Sequence, residues 1–188
     1  MVTNREWLTS EVEQNFGRQP APICNRYATI GPMPDQTLLM LLDEIRRRTL
    51  AMLDSVNDEQ ARWTPAETDN SILWHGGHAY TVVEYCVMES LGRQPVIPSG
   101  WHEVFSWHSQ PKKVAADAWP ALSVVVDHLK EQYTRLRTLM QELSEHDLLA
   151  PATIRPQRSV RYWIVHSLHD ESLHCGEMWL LRKMLASQ

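Results

Sequence analysis

Apolar residues recur at every third or fourth position through four long segments of this sequence, and the two-residue alternation of a strand is hard to find anywhere in it. An amphipathic helix must bury its apolar stripe against another element. Four such helices in a chain of 188 residues predict an all-α fold, a four-helix bundle. The first segment starts at about Asp35, whose side chain suits an N-cap, and ends near Val56, with Leu38, Leu42, Ile45, Met52 and Val56 on one face. The second opens at the Asn70-Ser71 cap and stops at Gly92. The third begins between Asp117 and Pro120 and keeps Leu122, Val125, Leu129, Tyr133, Leu136, Met140 and Leu143 in register. The fourth begins near Ser159 and runs almost to the C-terminus. The expected spans are 35–56, 70–91, 118–145 and 159–186.

The links between these segments differ in length. Residues 57–69 join the first two and contain Trp63 and Pro65. Residues 93–116 form a long connection between the second and third, rich in Pro, Trp and His, with a short helix expected around Trp101 to His108. Trp101, Phe105, Trp107 and Trp119 are a heavy aromatic load for such a stretch. They can cap the open end of the bundle or form a face on which two copies pair, and a homodimer is the expectation. Residues 1–33 read as a polar N-terminal arm with one short helical candidate at Arg5 to Phe16, and residues 34–188 as the bundle domain.

Charge and composition remove several function classes. A net charge of −5 and a pI near 6.0 give no reason to expect nucleic acid. The basic run Arg46-Arg47-Arg48 reads as the wet side of a helix. The first thirty residues lack the apolar core of a secretory signal, and no apolar run reaches the ~20 residues of a membrane span. Cys24, Cys86 and Cys175 are far apart and include no CxxC pair. Free thiols in a reducing compartment, hence a cytoplasmic protein, are expected.

Chemistry is sought where polar groups interrupt an apolar seam. On the fourth helix the heptad-spaced positions are Trp163, Ser167, Asp170, His174, Glu177, Leu181 and Met184. Burying Asp170, His174 and Glu177 unpaired costs several kcal/mol, so they must satisfy one another or bind a cation. Asp170 and His174 are four apart and reach one ion from the same helix face. On the second helix His75 and His78 are three apart around Gly76 and Gly77, two poor helix formers that make sense where something approaches the backbone closely. The plainer alternative is hydrogen-bonded core histidines, with Asp170 paired to Arg161 or to a histidine of another helix. His166 flanks the seam as an outer partner, and His169 points further round, towards solvent or an interface. His102, His108, His128 and His146 read as solvated. Cys175 follows His174 but is turned about 100° from it, which predicts a small buried thiol against a neighbouring helix, with Gly176 allowing close approach.

Two runs carry a family resemblance. Ser71-Ile72-Leu73-Trp74-His75-Gly76-Gly77-His78, followed by Glu84, resembles the second-helix signature of the DinB/YfiT-like superfamily. Asp170-Glu171-Ser172-Leu173-His174-Cys175-Gly176-Glu177 resembles its fourth-helix signature, HxxxHxGQ or HxxxHxGE, and the lead-in Asp58 to Pro65 is also similar. The resemblance implies a four-helix bundle in which one histidine of the second helix and two ligands of the fourth hold a divalent ion, often zinc or nickel, with iron or manganese as further candidates. His78 takes the second-helix place, with His75 its competitor, and His174 matches the last ligand. Asp170 stands where most members have histidine; the mycothiol-dependent maleylpyruvate isomerases of the same superfamily have a carboxylate there. Characterised relatives include thiol-dependent transferases and isomerases. The implied function is therefore a metal-dependent, transferase-type enzyme acting on a low-molecular-weight thiol or its conjugate, with no organic cofactor. A non-catalytic, stress-associated metal-binding protein and a metal-dependent hydrolase are the alternatives. No particular residue is singled out as the catalytic group.

Overall fold

The computed structural model of the protein describes residues 33–187. The expected arm, save Met33, lies outside the described residues, as do its helical candidate at Arg5 to Phe16 and Cys24. Among the described residues seven α-helices occur in order: α1 Gln36–Leu53, α2 Asp58–Arg62, α3 Ile72–Ser90, α4 Trp101–Phe105, α5 Leu122–Glu142, α6 Glu145–Leu149 and α7 Val160–Leu185. No strand occurs among the described residues; an isolated bridge joins Pro151 to Ser159. The four long helices pack in the cyclic order α1, α7, α3, α5, which is the expected bundle.

Local chemistry sets their ends. Asp35 caps α1 by accepting from the amides of Thr37 and Leu38. Ser71 and Ser159 cap α3 and α7 through the amides of Trp74 and Tyr162. Beyond α3, Gly92 has φ 67°, and the amides of Gly92 and Arg93 return to the carbonyls of Glu89 and Met88. Glycine alone takes that left-handed turn without strain, so the helix stops there.

Several boundaries differ from the expected spans, among them the end of α1, at Leu53 and not near Val56. The connection 57–69 contains α2, started by a reciprocal cap between Asn57 and Gln60. The third long helix ends at Glu142, because Ser144 and Asp147 form a second such cap and begin α6. It also begins later than expected, at Leu122, whose amide is accepted by Asp58 of α2 at 2.7 Å. That cap comes from 64 residues away and has no local signature.

The apolar interior divides into two clusters. One contains Leu42, Val87, Leu136, Ile164 and Leu168; the other contains Met52, Leu73, Phe105, Leu129 and Met178. Along α1, α5 and α7 a polar residue falls between them, at Arg46, Gln132 and Glu171, all fully buried or nearly so. Arg46 is held by Glu171 at 2.9 and 3.0 Å, by Gln132 at 2.8 Å and by the Leu129 carbonyl at 2.7 Å. Gln132 passes the network to Glu84 of α3, which Arg135 grips with two bonds of 3.0 and 2.8 Å. Arg46 is thus not on the wet side of its helix. Arg47 and Arg48 are, and both pair with Glu44 in solvent.

The aromatics of the long connection cap the bundle. Trp101 and Phe105 belong to the core and Trp119 packs on it, while Trp107 alone of the four is exposed.

Candidate metal centre

α3 is apolar on nearly all sides because it is enclosed, and its histidines are buried with it. The two glycines sit where neighbours come close. A Cβ on Gly77 would lie 2.4 Å from the Phe105 ring, and one on Gly76 would lie 3.1 Å from Leu53. Packing Phe105 onto Gly77 brings its carbonyl to 2.6 Å from His78 Nδ1. A carbonyl only accepts, so Nδ1 carries the proton and Nε2 presents a lone pair. Trp74 stacks on the same imidazole at 4.4 Å and fixes the ring plane.

α7 supplies the facing groups. Asp170 Oδ2 lies 3.9 Å from His78 Nε2 and 3.6 Å from His174 Nε2. Both distances are too long for hydrogen bonds. Asp170 Oδ2 is nevertheless buried and has no partner. The donor atoms of His78, Asp170 and His174 lie within 4.8 Å of one another. An unpaired buried carboxylate oxygen between two imidazole nitrogens is a poor arrangement by itself and a fitting one around a cation.

His174 is oriented as His78 is. Its Nδ1 lies 2.7 Å from Glu177 Oε2, so the proton sits on Nδ1 and Nε2 turns towards Asp170. His75 lies on the other side of the His174 ring, with its Nδ1 2.9 Å from His174 Nδ1 and 3.2 Å from Glu177. His75, His174 and Glu177 are also close enough to share an ion. Their separations, however, are short: the one proton on His174 Nδ1 goes to Glu177, with His75 Nδ1 as a second acceptor beside it, which leaves no ligand gap like the one around Asp170. The geometry thus separates the two α3 histidines: His78 faces Asp170, and His75 faces Glu177. Burial pushes His75 down to about 3 and holds it neutral. Burial also lowers His78, assisted by the neighbouring His174. The hydrogen bond from His174 keeps the Glu177 carboxyl below the usual carboxylate range.

A cleft of about 570 Å³ opens from His78 and Asp170 and is walled by Tyr85, Trp107 and Trp163. His166 lines it and stacks on Tyr162, beyond bonding reach of the triad. His169, His102, His108 and His146 are exposed, as read from the sequence. His128 is not solvated as expected: it is half-buried with its ring against Trp101 and Tyr80. Cys175 is buried beside Thr49 of α1, away from the site, as its rotation on the helix predicted. Gly176 does not mediate a close helix approach: it is exposed, with no atom within 4 Å of where a Cβ would stand. The Phe105 carbonyl and Cys86, which lines the cleft, escaped the sequence reading. A carbonyl has no residue-type signal, and a lone cysteine on a buried helix resembles any core residue.

Residues 41–178 match the family model of the DinB superfamily. Among solved structures, the crystal structure of a conserved protein of a locus from Enterococcus faecalis superposes with a TM-score of 0.66 at 18% identity, covering 81% of this chain and 97% of that one. No curated protein matches.

Proposed function

Because this chain belongs to the DinB superfamily, we propose that it is a divalent-metal-dependent enzyme of transferase type acting on a low-molecular-weight thiol or its conjugate. His78, Asp170 and His174 are the ligands in this reading. The observation that carries it is the buried, unpartnered Oδ2 of Asp170 between two imidazole nitrogens too distant to bond it. Two nitrogens and one oxygen suit zinc or nickel, with iron or manganese compatible.

Three protein ligands leave coordination positions open, and a bound ion supplies Lewis acidity that favours the thiolate of a coordinated thiol. The remaining work belongs to the chain. The Phe105 carbonyl and Glu177 hold the protons of His78 and His174 on Nδ1, which keeps both Nε2 atoms free as donors. His75, neutral, offers its Nδ1 as a second acceptor to the His174 Nδ1–H and steadies that ring without entering the donor set. Trp74 blocks rotation of His78. Tyr85, Trp107 and Trp163 form the cleft walls and limit water around a guest.

Protein purified without a histidine tag is expected to carry about one divalent ion per chain by elemental analysis. In a thermal-shift screen with glutathione, coenzyme A, mycothiol and bacillithiol, one of these is expected to stabilise the loaded protein and not the stripped protein. Failure to take up any of zinc, nickel, iron or manganese would overturn the metal assignment. A loaded protein that answers to no thiol would overturn the substrate assignment.

A further inference from the structure

Trp74 Nε1 donates to the Ser109 hydroxyl oxygen at 2.9 Å. An indole nitrogen only donates, and Trp74 is buried, so this acceptor satisfies a group that would otherwise cost stability. The torsion that turns an indole about its stem is broad, and a directed bond from its nitrogen selects one setting. In that setting the indole lies 4.4 Å from the His78 ring and 16° from parallel to it. It also meets the His75 and His174 rings near a right angle, at 5.2 and 5.8 Å. One side chain thus borders all three imidazoles. Ser109 belongs to a turn that begins where α4 ends, and its amide donates to the carbonyl of the buried Ser106 at 3.0 Å. Phe105, the last residue of α4, presents its carbonyl to His78 Nδ1 from the same stretch. Neither Trp74 nor Ser109 lines the cleft beside the triad, so Ser109 has no direct route to a guest.

We propose that Ser109 is a positioning residue for the ion site: by accepting the Trp74 N–H it holds the indole flat against His78, and the turn at 106–109 and a bound ion then stabilise each other. The proposal rests on the reading of His78, Asp170 and His174 as ligands, and it names what sets their affinity from outside the ligand set. The Phe105 carbonyl fixes where His78 Nδ1 lies, but a single hydrogen bond leaves the ring free to swing about that contact. The stacked indole removes the swing and so aims Nε2 towards Asp170. Without the Ser109 hydroxyl the indole N–H is left unpaired, and the ring turns to find water or another acceptor. That turn withdraws the face on which His78 rests. Linkage makes the effect mutual: whatever the turn adds to ion affinity, the ion returns as stability of the turn.

The test is zinc calorimetry and cobalt(II) titration on the full chain, the visible absorption of cobalt reporting the geometry of its ligands. Ser109→Ala is expected to bind zinc about tenfold more weakly, the scale of losing a partner behind a metal ligand, and to alter the cobalt spectrum. Ser109→Thr, which keeps the hydroxyl, should restore both. In a Trp74→Phe background, which has no N–H to hold, Ser109→Ala should have no further effect. Zinc should in turn slow exchange of the Trp74 indole proton with solvent, read by NMR and assigned by its absence in Trp74→Phe. A serine that only supports the fold would lower the melting temperature and leave the cobalt spectrum unmoved. An unchanged zinc affinity and cobalt spectrum in Ser109→Ala, or a loss in Ser109→Thr as large as in Ser109→Ala, would overturn the assignment. So would a Ser109→Ala loss that persists on Trp74→Phe, or an indole proton indifferent to zinc. A wild type that takes up neither zinc nor cobalt would overturn it as well and, if nickel, iron and manganese are refused too, the ligand reading with it. Normal uptake with an unmoved Ser109→Ala removes this assignment alone.

Discussion

Asp170 and Glu171 are adjacent carboxylates on α7 with opposite surroundings. A turn of about 100° per residue carries Glu171 into the core, where Arg46 neutralises it, and leaves Asp170 facing His78. The same rotation separates His174 from Cys175. Cys175→Ala should therefore keep the metal content of the wild type and cost only packing, about 1 kcal/mol in a denaturant melt. Loss of the ion in that variant would mean that Cys175 belongs to the site. Cys86 makes a second residue-scale prediction. Its folded pKa of about 12 lies above the 9.0 of the free thiol, so between those values the unfolded chain ionises first and the folded form stays protonated. Its contribution to stability is complete below pH 9.0 and declines as pH rises from there towards 12. At pH 8 the native protein should then be alkylated at Cys86 by iodoacetamide far more slowly than the urea-unfolded chain, by peptide mass spectrometry. Equal rates would show a thiolate in the cleft.

At the scale of the elements, Gly77 couples the fold to the site. A methyl group there enters the Phe105 ring, and Phe105 is the residue whose carbonyl sets the tautomer of His78. Gly77→Ala gains about 1 kcal/mol of helix propensity but should be destabilising overall, since overpacking costs about 1–3 kcal/mol. It should also weaken metal binding. Gly76→Ala meets the flexible end of Leu53 and makes an ordinary contact with Val125, and should be close to neutral. A Gly77→Ala protein as stable as the wild type, with its metal intact, would contradict this coupling. The four long helices were legible in the sequence because their apolar periods and their caps at Asp35, Ser71, Gly92 and Ser159 agree. The short helices were less so. α2 and α6 depend on reciprocal caps, and α5 is started by Asp58 from another element, which no local window contains. On α7 the heptad seam shares Ser167 and Leu181 with the buried face, but that face is centred on Ile164, Leu168, Glu171, Cys175 and Met178, with Asp170 and His174 at its edge. A buried salt bridge on the core line and a polar site beside it give the same spacing, and the sequence carries no sign of which is inside. For the same reason the sequence alone does not separate Arg46 from its solvated neighbours Arg47 and Arg48.

Across the whole molecule, the layer of Arg46, Gln132, Glu171 and Glu84 ties all four long helices together between two apolar clusters. Arg46→Met would leave Glu171 buried and uncompensated, and should cost about 3–5 kcal/mol in chemical denaturation; pairing it with Glu171→Leu should recover most of that loss. Equal stability of the single variant and the wild type would show that the layer is not coupled as drawn. Pairing of two copies stays a proposal, since Trp101 and Phe105, which suggested it, are used inside one bundle. Sedimentation giving only a 21.8 kDa species at micromolar concentration would remove it. The triad itself is a property of the assembled bundle, because His78 lies on α3 and Asp170 and His174 lie on α7. Zinc titration followed by calorimetry on the wild type and four single variants tests it most directly. His174→Ala should abolish stoichiometric binding, Asp170→Ala should weaken it strongly, and His78→Ala should lose more affinity than His75→Ala. Full occupancy in both His174→Ala and Asp170→Ala, or a greater loss from His75→Ala than from His78→Ala, would contradict the assignment of the ion to the Asp170 face of His174.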